Sequence, residues 1–177
     1  MRSTIDHIYV LLNILKQRKM QRKDTYVCYV DFARAFDCVD HDLLKLKMLQ
    51  NGIDGKIYKA ICAMYSNMSA SIRLIGFMTD SFTVESGVKK GDNLSPTLFA
   101  LFINDLIKDI NNLGFGITYG DVRVSILAYA DDLVLMAESE AELQEMLDAL
   151  NQYCVKWRLS VNGNKTQIMH FRIQVWK

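Results

Sequence analysis

The sequence predicts a mixed α/β domain, in which apolar strands and amphipathic helices share one chain, and three stretches carry this prediction. The apolar run from Ile126 to Ala137 is interrupted by two adjacent aspartates, a pattern typical of a buried strand or hairpin. The stretch from Thr25 to Phe32 alternates and is rich in tyrosine and valine, as strands are. Apolar residues after Ser139 recur at helical spacing, which predicts a long amphipathic helix.

Composition indicates one globular domain and argues against several classes of protein. The chain has 177 residues, half of them apolar, and a net charge of +1, so it lacks the overall basic charge of many nucleic-acid binders. The cysteines show no paired or zinc-ligand spacing and predict buried thiols in a reducing compartment: Cys28, Cys38, Cys62 and Cys154. We find no export leader and no apolar run of membrane-spanning length. We therefore expect an intracellular protein of the cytoplasm or nucleus, with no membrane partner.

A first helix is predicted at the start of the chain, capped by Ser3 or Thr4. Its apolar positions recur at helical spacing: Ile5, Ile8, Leu11, Leu12 and Leu15. The helix runs into a basic patch, which is made of Lys16, Arg18, Lys19, Arg22 and Lys23. Such a patch either contacts nucleic-acid phosphates or is the solvated end of a helix, and the sequence leaves both interpretations open.

The middle of the chain is predicted as helices and short strands around one glycine-bounded loop. The first element is a helix through Leu43, Leu44 and Met48, which ends at Asn51 and Gly52. The second is a helix capped by Asp54, with apolar positions Ile57, Ile61 and Met64. Two strands follow, over Ala70–Ile75 and Ser81–Glu85. The loop from Gly87 to Gly91 contains two lysines and is either a ligand-binding loop or a solvated connector. Ser95 and Pro96 then supply the N-cap and first-turn proline of a further helix.

The last third of the chain contains the hairpin, the long helix and a final strand. Strands are predicted over Val122–Ala128 and Leu133–Ala137, and Ser139 with Glu142 forms a capping-box pattern for the helix. The core face of that helix carries Leu143, Met146, Leu147, Leu150, Tyr153, Cys154 and Trp157. A turn at Asn162–Asn164 and a strand at Thr166–Phe171 follow. No repeat or linker interrupts the chain, so we expect no domain boundary.

Three carboxylates occupy strand ends in this prediction: Asp31 after one strand, and Asp131 and Asp132 between two others. Burying them as bare charges would cost several kcal/mol each, so they form an open polar turn or bind a cation. If the strands are neighbours, the carboxylates converge, and oxygen ligands suit Mg²⁺ better than zinc. Two such ions would activate a hydroxyl and stabilise a leaving phosphate.

Four motifs, in the same order, resemble those of reverse transcriptases. Tyr129–Asp132 resembles the aromatic-Ala-Asp-Asp catalytic turn, and Asp31–His41 resembles the first aspartate motif. Gly87–Phe99 is similar to the loop-and-helix motif of non-LTR retrotransposon enzymes, and Asn162–Thr166 is similar to their later lysine motif. The resemblance extends from about Ser3 to Phe171.

The resemblance implies a polymerase palm, with an antiparallel sheet that carries the carboxylates and is backed by helices. It implies that residues 1–177 are a partial reverse transcriptase domain, with 1–24 from the fingers, 25–177 mainly palm, and the thumb absent. The implied activity is RNA-directed DNA synthesis, in which a primer 3′-hydroxyl attacks the α-phosphate of a deoxynucleotide. The implied partners are an RNA template, a DNA primer and deoxynucleoside triphosphates, with two Mg²⁺ or Mn²⁺ ions as cofactors.

The resemblance also implies roles for the residues of the catalytic turn. Asp31 and Asp131 would bind both metal ions, Asp132 would assist, and the backbone carbonyl of Phe32 would be a further ligand. Lys165 would be the general acid for pyrophosphate.

Further implied roles concern the substrate. The backbone at Arg34 and Ala35 would face the triphosphate, and the ring of Phe36 would block a ribose 2′-hydroxyl. Gly91 would let the template-nucleotide pair approach closely. Lys90 departs from the glutamine usual in the family, where a neutral amide contacts the incoming sugar, and Arg34 replaces the usual lysine.

Two alternatives remain at the level of sequence. One is an inactive retroelement remnant that binds RNA or a protein, which Lys90 favours and the three intact aspartates oppose. The other is an RNA-templated RNA polymerase, against which the bulky Phe36 argues. The sequence leaves the oligomeric state open, although apolar surface at the cut ends of such a partial domain predicts self-association.

Overall fold

The computed structural model describes residues 4–89 and 91–173 and has a mixed α/β fold, as the sequence predicts. The helices are α1 (Thr4–Met20), α2 (His41–Gln50), α3 (Gly55–Tyr65), α4 (Ser95–Asn112) and α5 (Glu140–Trp157). The strands are β1 (Thr25–Asp31), β2 (Ser69–Ala70), β3 (Arg73–Leu74), β4 (Phe77–Met78), β5 (Phe82–Thr83), β6 (Ile117–Tyr119), β7 (Val122–Val124), β8 (Ile126–Tyr129), β9 (Asp132–Ala137) and β10 (Gln167–Phe171).

The chain forms two compact units. The first unit combines the residues up to Ala33 with those from Ile103 onward, and the second unit is Arg34–Phe102. The second unit contains α2, α3 and two small hairpin-like sheets, in which β2 pairs with β5 and β3 pairs with β4. The assignment of residues 1–24 to fingers and 25–177 mainly to palm stays a prediction.

A four-stranded antiparallel sheet is the centre of the first unit, with the order β10-β1-β9-β8. Strand β1 pairs with β9 from Tyr26 opposite Ala137 to Asp31 opposite Asp132. The β8–β9 hairpin closes with Tyr129 opposite Asp132. Both the hairpin and the antiparallel sheet predicted from the sequence are therefore confirmed.

The two faces of this sheet are covered by different elements, because successive side chains of a strand point to opposite sides. On one face, Val27 and Met136 pack with Ile14 of α1 and Ile117 of β6 in a fully buried cluster. On the other face, Cys28 lies opposite Leu135 in the register, both are buried, and α5 contacts β1 and β9. The central strands β1 and β9 are thus largely buried, whereas the edge strand β10 is exposed along its length.

Helix α1 forms where the sequence predicts a first helix, but only part of the apolar series that predicts it packs on the core. Ser3, one of the two predicted caps, lies outside the described residues. Ile5, Ile8 and Leu12 are at least half exposed, whereas Ile14 is completely buried. Apolar residues lie on more than one side of this helix, and packing against the sheet selects the side that carries Ile14.

Arg18 corrects the predicted basic patch, because its side chain is buried and bonded instead of free for nucleic acid. Its Nη1 lies 2.7 Å from Glu138 Oε1, and its Nε donates to Thr25 Oγ1 at 3.1 Å. Its Nη2 also donates to the carbonyl of Asp24. Arg18 therefore joins α1 to the start of β1 and the end of β9.

Helix caps and strand bounds differ from the predictions in places. The predicted cap of α5 is confirmed, since Ser139 Oγ accepts from the amide of Glu142 at 3.2 Å. Asp40 caps α2 without having been predicted, whereas Asp54 precedes α3 but makes no side-chain cap bond. The predicted strand Val122–Ala128 is divided at Ser125, whose hydroxyl donates to the Phe115 carbonyl at 2.6 Å. The predicted strands Ala70–Ile75 and Ser81–Glu85 are much shorter in the structure.

All four cysteines are free, but only two are buried: Cys28 and Cys154. Burial raises the pKa of each of these two thiols to about 11. Cys38 and Cys62 are partly exposed, so the prediction of buried thiols is correct for half of them. No helix in the described part of the chain is long and apolar enough to cross a membrane.

Candidate active site

The register of β1 and β9 brings two of the predicted catalytic carboxylates together at the end of the sheet. Asp31 is the last residue of β1 and lies opposite Asp132, the first residue of β9. Residues paired in this way have Cα atoms about 4.5–5.5 Å apart and side chains on the same face. The assumption that their strands are neighbours is thus confirmed.

Asp131 lies at the tip of the β8–β9 hairpin, in a two-residue turn with Ala130. Ala130 has φ +53°, a left-handed conformation that residues with a Cβ rarely adopt. The ring of His7 meets the edge of the Tyr129 ring with centroids 5.8 Å apart, so α1 reaches the base of the turn. The apolar strands on either side therefore hold Asp131 at a partly exposed tip.

The pKa of Asp132 is raised in the folded chain. Partial burial raises the pKa of Asp132, and the charges of Asp131 and Asp31 raise it further. No three histidine, cysteine, aspartate or glutamate side chains in the described residues are arranged as ligands of one metal ion. The charges of Asp131 and Asp31 thus act on Asp132, but the three side chains are not arranged to bind one metal ion together. A bound cation would offset their repulsion.

We expect Asp132→Asn to raise the melting temperature at pH 7 in the absence of divalent ions. Because the pKa of Asp132 is raised on folding, the unfolded chain loses this proton first as the pH rises above 3.8. The charge of Asp132 thus destabilises the folded state at neutral pH and has little effect at pH 3. Thermal unfolding at both pH values measures this difference.

Asp121→Asn is the matched control, because Asp121 is exposed in the turn between β6 and β7. A melting temperature of Asp132→Asn that matches this control at pH 7 would contradict the predicted repulsion.

The loop before β10 holds the backbone around Asp31. The amide of Asn162 donates to the Asp31 carbonyl at 2.7 Å, and the Asp31 amide donates to Thr166 Oγ1 at 3.2 Å. The next residues are also held, since the Ala33 amide donates to the Ser160 carbonyl at 2.7 Å. Sequence analysis placed Asn162 in a turn, Thr166 in a strand and both in the lysine motif, but it gave neither residue a contact with Asp31. No sequence pattern near Asn162 or Thr166 indicates their contact with Asp31, because the contact joins distant parts of the chain.

Phe32 and Lys165 belong to the same connected region of the first unit. Phe32 forms a β-bridge with Val161, and its side chain is buried. Lys165 lies in the turn that Asn162 begins, where its amide donates to the Asn162 carbonyl at 3.1 Å, and its side chain is exposed. Lys165 directly precedes Thr166 in the chain, and the Thr166 hydroxyl accepts from the Asp31 amide. The backbone of Lys165 therefore lies close to that of Asp31.

Phe32, which is also predicted to contact substrate, lies in the first unit, and the other predicted substrate residues that the structure describes lie in the second. Arg34 has φ +53° and an exposed side chain, and its carbonyl accepts from the amides of Asp37 at 2.8 Å and Cys38 at 3.0 Å. Ala35 is buried. The ring of Phe36 is half-buried and lies 5.0 Å from the ring of Phe99 in α4, measured between centroids. These contacts determine the shape of a tight turn.

The glycine-bounded loop is bonded to that turn. The Gly87 amide donates to the Val39 carbonyl, and the Val88 amide donates to the Phe36 carbonyl, each at 2.8 Å. A Cβ on Gly87 would lie 3.2 Å from Asp37 Cα, and its φ is +95°, so the position requires glycine.

His41 is a further residue that sequence analysis missed. Its Nε2 lies 2.8 Å from the Gly87 carbonyl oxygen, and its ring packs edge-on against Tyr65 at 5.1 Å. His41 therefore connects the start of α2 to the loop.

The far end of the loop is open at Gly91. Gly91 has φ +81°, is exposed, and has no atom within 4 Å of a built Cβ. Lys90 lies outside the described residues. The start of α4 at Ser95 is confirmed, but its hydroxyl donates to the Lys89 carbonyl at 2.6 Å and so closes the loop instead of capping the helix.

Comparison with known proteins identifies the family. The family model described as "Reverse transcriptase (RNA-dependent DNA polymerase)" matches residues 1–176. The "Retrovirus-related Pol polyprotein from type-1 retrotransposable element R2" of Popillia japonica is 30% identical over 165 residues, which cover 92% of this chain and 23% of that protein. The "RNA-directed DNA polymerase from mobile element jockey" of Drosophila funebris is 28% identical over 170 residues, 92% of this chain and 18% of that protein.

A solved structure shows the same fold. Apo telomerase from Candida tropicalis, truncated from its C-terminal domain, superposes with a TM-score of 0.74 over 99% of this chain and 37% of that one, at 16% identity. The chain spans about a fifth of the length of the curated relatives it matches. With its fold and its family model in agreement, the chain belongs to the reverse transcriptase family, among relatives that include the polymerases of the non-LTR retrotransposons R2 and jockey.

Proposed function

We propose that this chain carries the catalytic palm of an RNA-directed DNA polymerase. Residues 1–24 would belong to the fingers, and residues 25–177 mainly to the palm. The observation that supports it best is the pairing of Asp31 with Asp132 beside the hairpin tip that holds Asp131. In the proposed reaction, the 3′-hydroxyl of a primer attacks the α-phosphate of a deoxynucleoside triphosphate that is paired with an RNA template. Pyrophosphate leaves.

The residues present suit divalent cations. Asp31 and Asp131 would hold two Mg²⁺ or Mn²⁺ ions, with Asp132 assisting and the Phe32 carbonyl as a further ligand. When bound, such ions promote deprotonation of the attacking hydroxyl and stabilise the charge on the leaving phosphate. The pKa of Asp132 is raised first by partial burial and then by the charges of Asp131 and Asp31, which supports a cation here because a cation would relieve the repulsion among these charges.

The protein groups around the carboxylates have positioning and proton-transfer roles in this proposal. Hydrogen bonds from Asn162 and to Thr166 restrain the backbone of Asp31 and so fix the position from which its carboxylate would reach a cation. Lys165 Nζ would donate the proton to the leaving pyrophosphate, and its exposed side chain is free to reach solvent and substrate.

The nucleotide contacts would come from residues 34–36, 90 and 91. The backbone at Arg34 and Ala35 would face the triphosphate, and Phe36 would exclude a ribose 2′-hydroxyl by its bulk. The packing of Phe36 on Phe99 restrains the ring, as a steric filter requires. The open surface at Gly91 is compatible with a closely approaching base pair, and Lys90 would be the neighbouring contact to the sugar.

Primer extension on an RNA template, with deoxynucleotides and Mg²⁺ or Mn²⁺, tests the proposal. We expect extension by the wild-type chain, none by Asp131→Asn, and wild-type extension by the matched variant Asp121→Asn. Extension with ribonucleotides at equal efficiency would favour the RNA polymerase instead. No extension by either the wild type or Asp131→Asn would contradict independent activity, and Lys90→Gln would then test whether the lysine is responsible. RNA binding without extension would support the remnant.

A further inference from the structure

A basic groove lies between the last turns of α1 and the end of β10, with a cavity volume of about 750 Å³. Five exposed basic side chains line its walls: Lys16, Lys19, Arg22, Lys23 and Arg172. The buried Arg18 and the imidazole of His170 also line it. None of the described residues that line it is acidic. The first unit alone supplies all of these residues.

The charges of this basic groove are available to a ligand. Lys16, Lys19, Arg22, Lys23 and Arg172 are exposed, in contrast to the buried Arg18 with its Glu138 partner. Asp24 adjoins the basic groove in sequence, but its carboxylate accepts from the Ile173 amide at 3.0 Å and lies 2.9 Å from His170 Nε2. Five exposed cations on a chain of net charge +1 are a strong local concentration that attracts a polyanion.

The same basic groove has an apolar and aromatic wall. Leu12 and Leu15 lie on the side of α1 that carries Lys16 and Lys19, and Phe171 of β10 is 37% exposed. Grooves that combine cations for the backbone with an exposed aromatic ring for the bases are typical of single-strand binders. The bases of a duplex are stacked inside the helix, so a duplex would leave this apolar wall without a base to contact.

We propose that the basic groove binds the backbone of a single-stranded nucleic acid, independently of metal ions and of the carboxylates. Strand β1 begins beside the basic groove at Thr25 and ends at Asp31, and six residue steps of strand span roughly 20 Å. The basic groove is therefore a second contact, away from the candidate active site. It gives a function to the basic patch predicted from the sequence, without Arg18.

Fluorescence anisotropy with labelled 20-nucleotide oligouridylate and oligothymidylate, in EDTA and at several salt concentrations, tests this proposal. The triple variant Lys19→Gln, Lys23→Gln, Arg172→Gln should bind at least about tenfold more weakly. Its slope of log affinity against log salt should fall by about 2, because three phosphate contacts are lost. Phe171→Ala should lower affinity at least about fivefold through lost base stacking. The two oligomers show whether RNA or DNA is preferred.

The matched control is Lys56→Gln, Lys59→Gln, Lys108→Gln, which removes three exposed lysines elsewhere. Equal affinity and salt slope for the two triple variants, both folded by circular dichroism, would overturn the proposal. Competition by polyglutamate as strong as by oligouridylate, with no effect of Phe171→Ala, would also overturn it. Asp131→Asn should bind like wild type, so loss of polymerase activity and loss of groove binding are distinguishable.

Discussion

Replacing either Asp31 or Asp131 with asparagine is expected to lower the rate of primer extension by at least about a hundredfold. Stabilisation of transition-state charge by a bound ion amounts to several kcal/mol, and every 1.4 kcal/mol changes a rate about tenfold. Asparagine keeps the size of the side chain but removes the charge that holds the cation. Asp132→Asn should have a smaller effect, since Asp132 only assists in the proposed site.

The measurement is single-turnover extension, with Mg²⁺-dependent thermal stabilisation as a second readout. Asp31→Asn and Asp131→Asn should lose the Mg²⁺-dependent rise in melting temperature that we expect for wild type, while Asp121→Asn retains it. If Asp131→Asn keeps more than a tenth of the wild-type rate, the proposed metal-binding role of Asp131 is wrong.

Arg18→Met is expected to lower the free energy of unfolding by about 3 kcal/mol. Breaking a buried ion pair by removing one partner typically costs 3–5 kcal/mol, and Glu138 is 40% exposed, which places this pair at the low end. The substitution also removes the bonds to Thr25 Oγ1 and the Asp24 carbonyl. Methionine retains much of the volume of the arginine side chain, so the decrease in the free energy of unfolding comes mainly from the lost polar contacts. Urea unfolding measures it.

Two further variants make this prediction specific. Arg73→Met removes an exposed arginine and should change the free energy of unfolding by less than about 0.5 kcal/mol. In a double-mutant cycle, Glu138→Gln should cost much less in the Arg18→Met background than in wild type. Equal stability of Arg18→Met and Arg73→Met would show that the buried contacts of Arg18 do not stabilise the fold.

Local features of the fold were predictable because they depend on neighbours in sequence. The cap of α5 needs only nearby residues, and Ser139 Oγ accepts from the Glu142 amide as the capping pattern predicts. The Glu142 carboxylate differs from the pattern, because it accepts from the amide of Glu138 instead of that of Ser139. The division of a predicted strand at Ser125 was not predictable. It depends on a bond to Phe115, and no spacing or composition signals that contact.

The candidate site shows the same division between local and long-range information. The hairpin with Asp131 at its tip follows from an apolar run interrupted by two aspartates, and the structure agrees. The face of α1 did not follow, because the helix has apolar residues on several sides and the sheet determines which one is buried. Arg18 likewise reads as one more surface cation until its contacts with Glu138 and Thr25 are known.

The sequence by itself determined the reverse transcriptase motifs, the helices and strands that carry them, and which residues are proposed to be catalytic. Only the tertiary structure decided that Asp31 lies opposite Asp132, and that Asn162 and Thr166 hold the Asp31 backbone. The physical reason is distance along the chain. Periodicity and capping act within a few residues, whereas strand register is selected by burial of whole faces that distant segments form together.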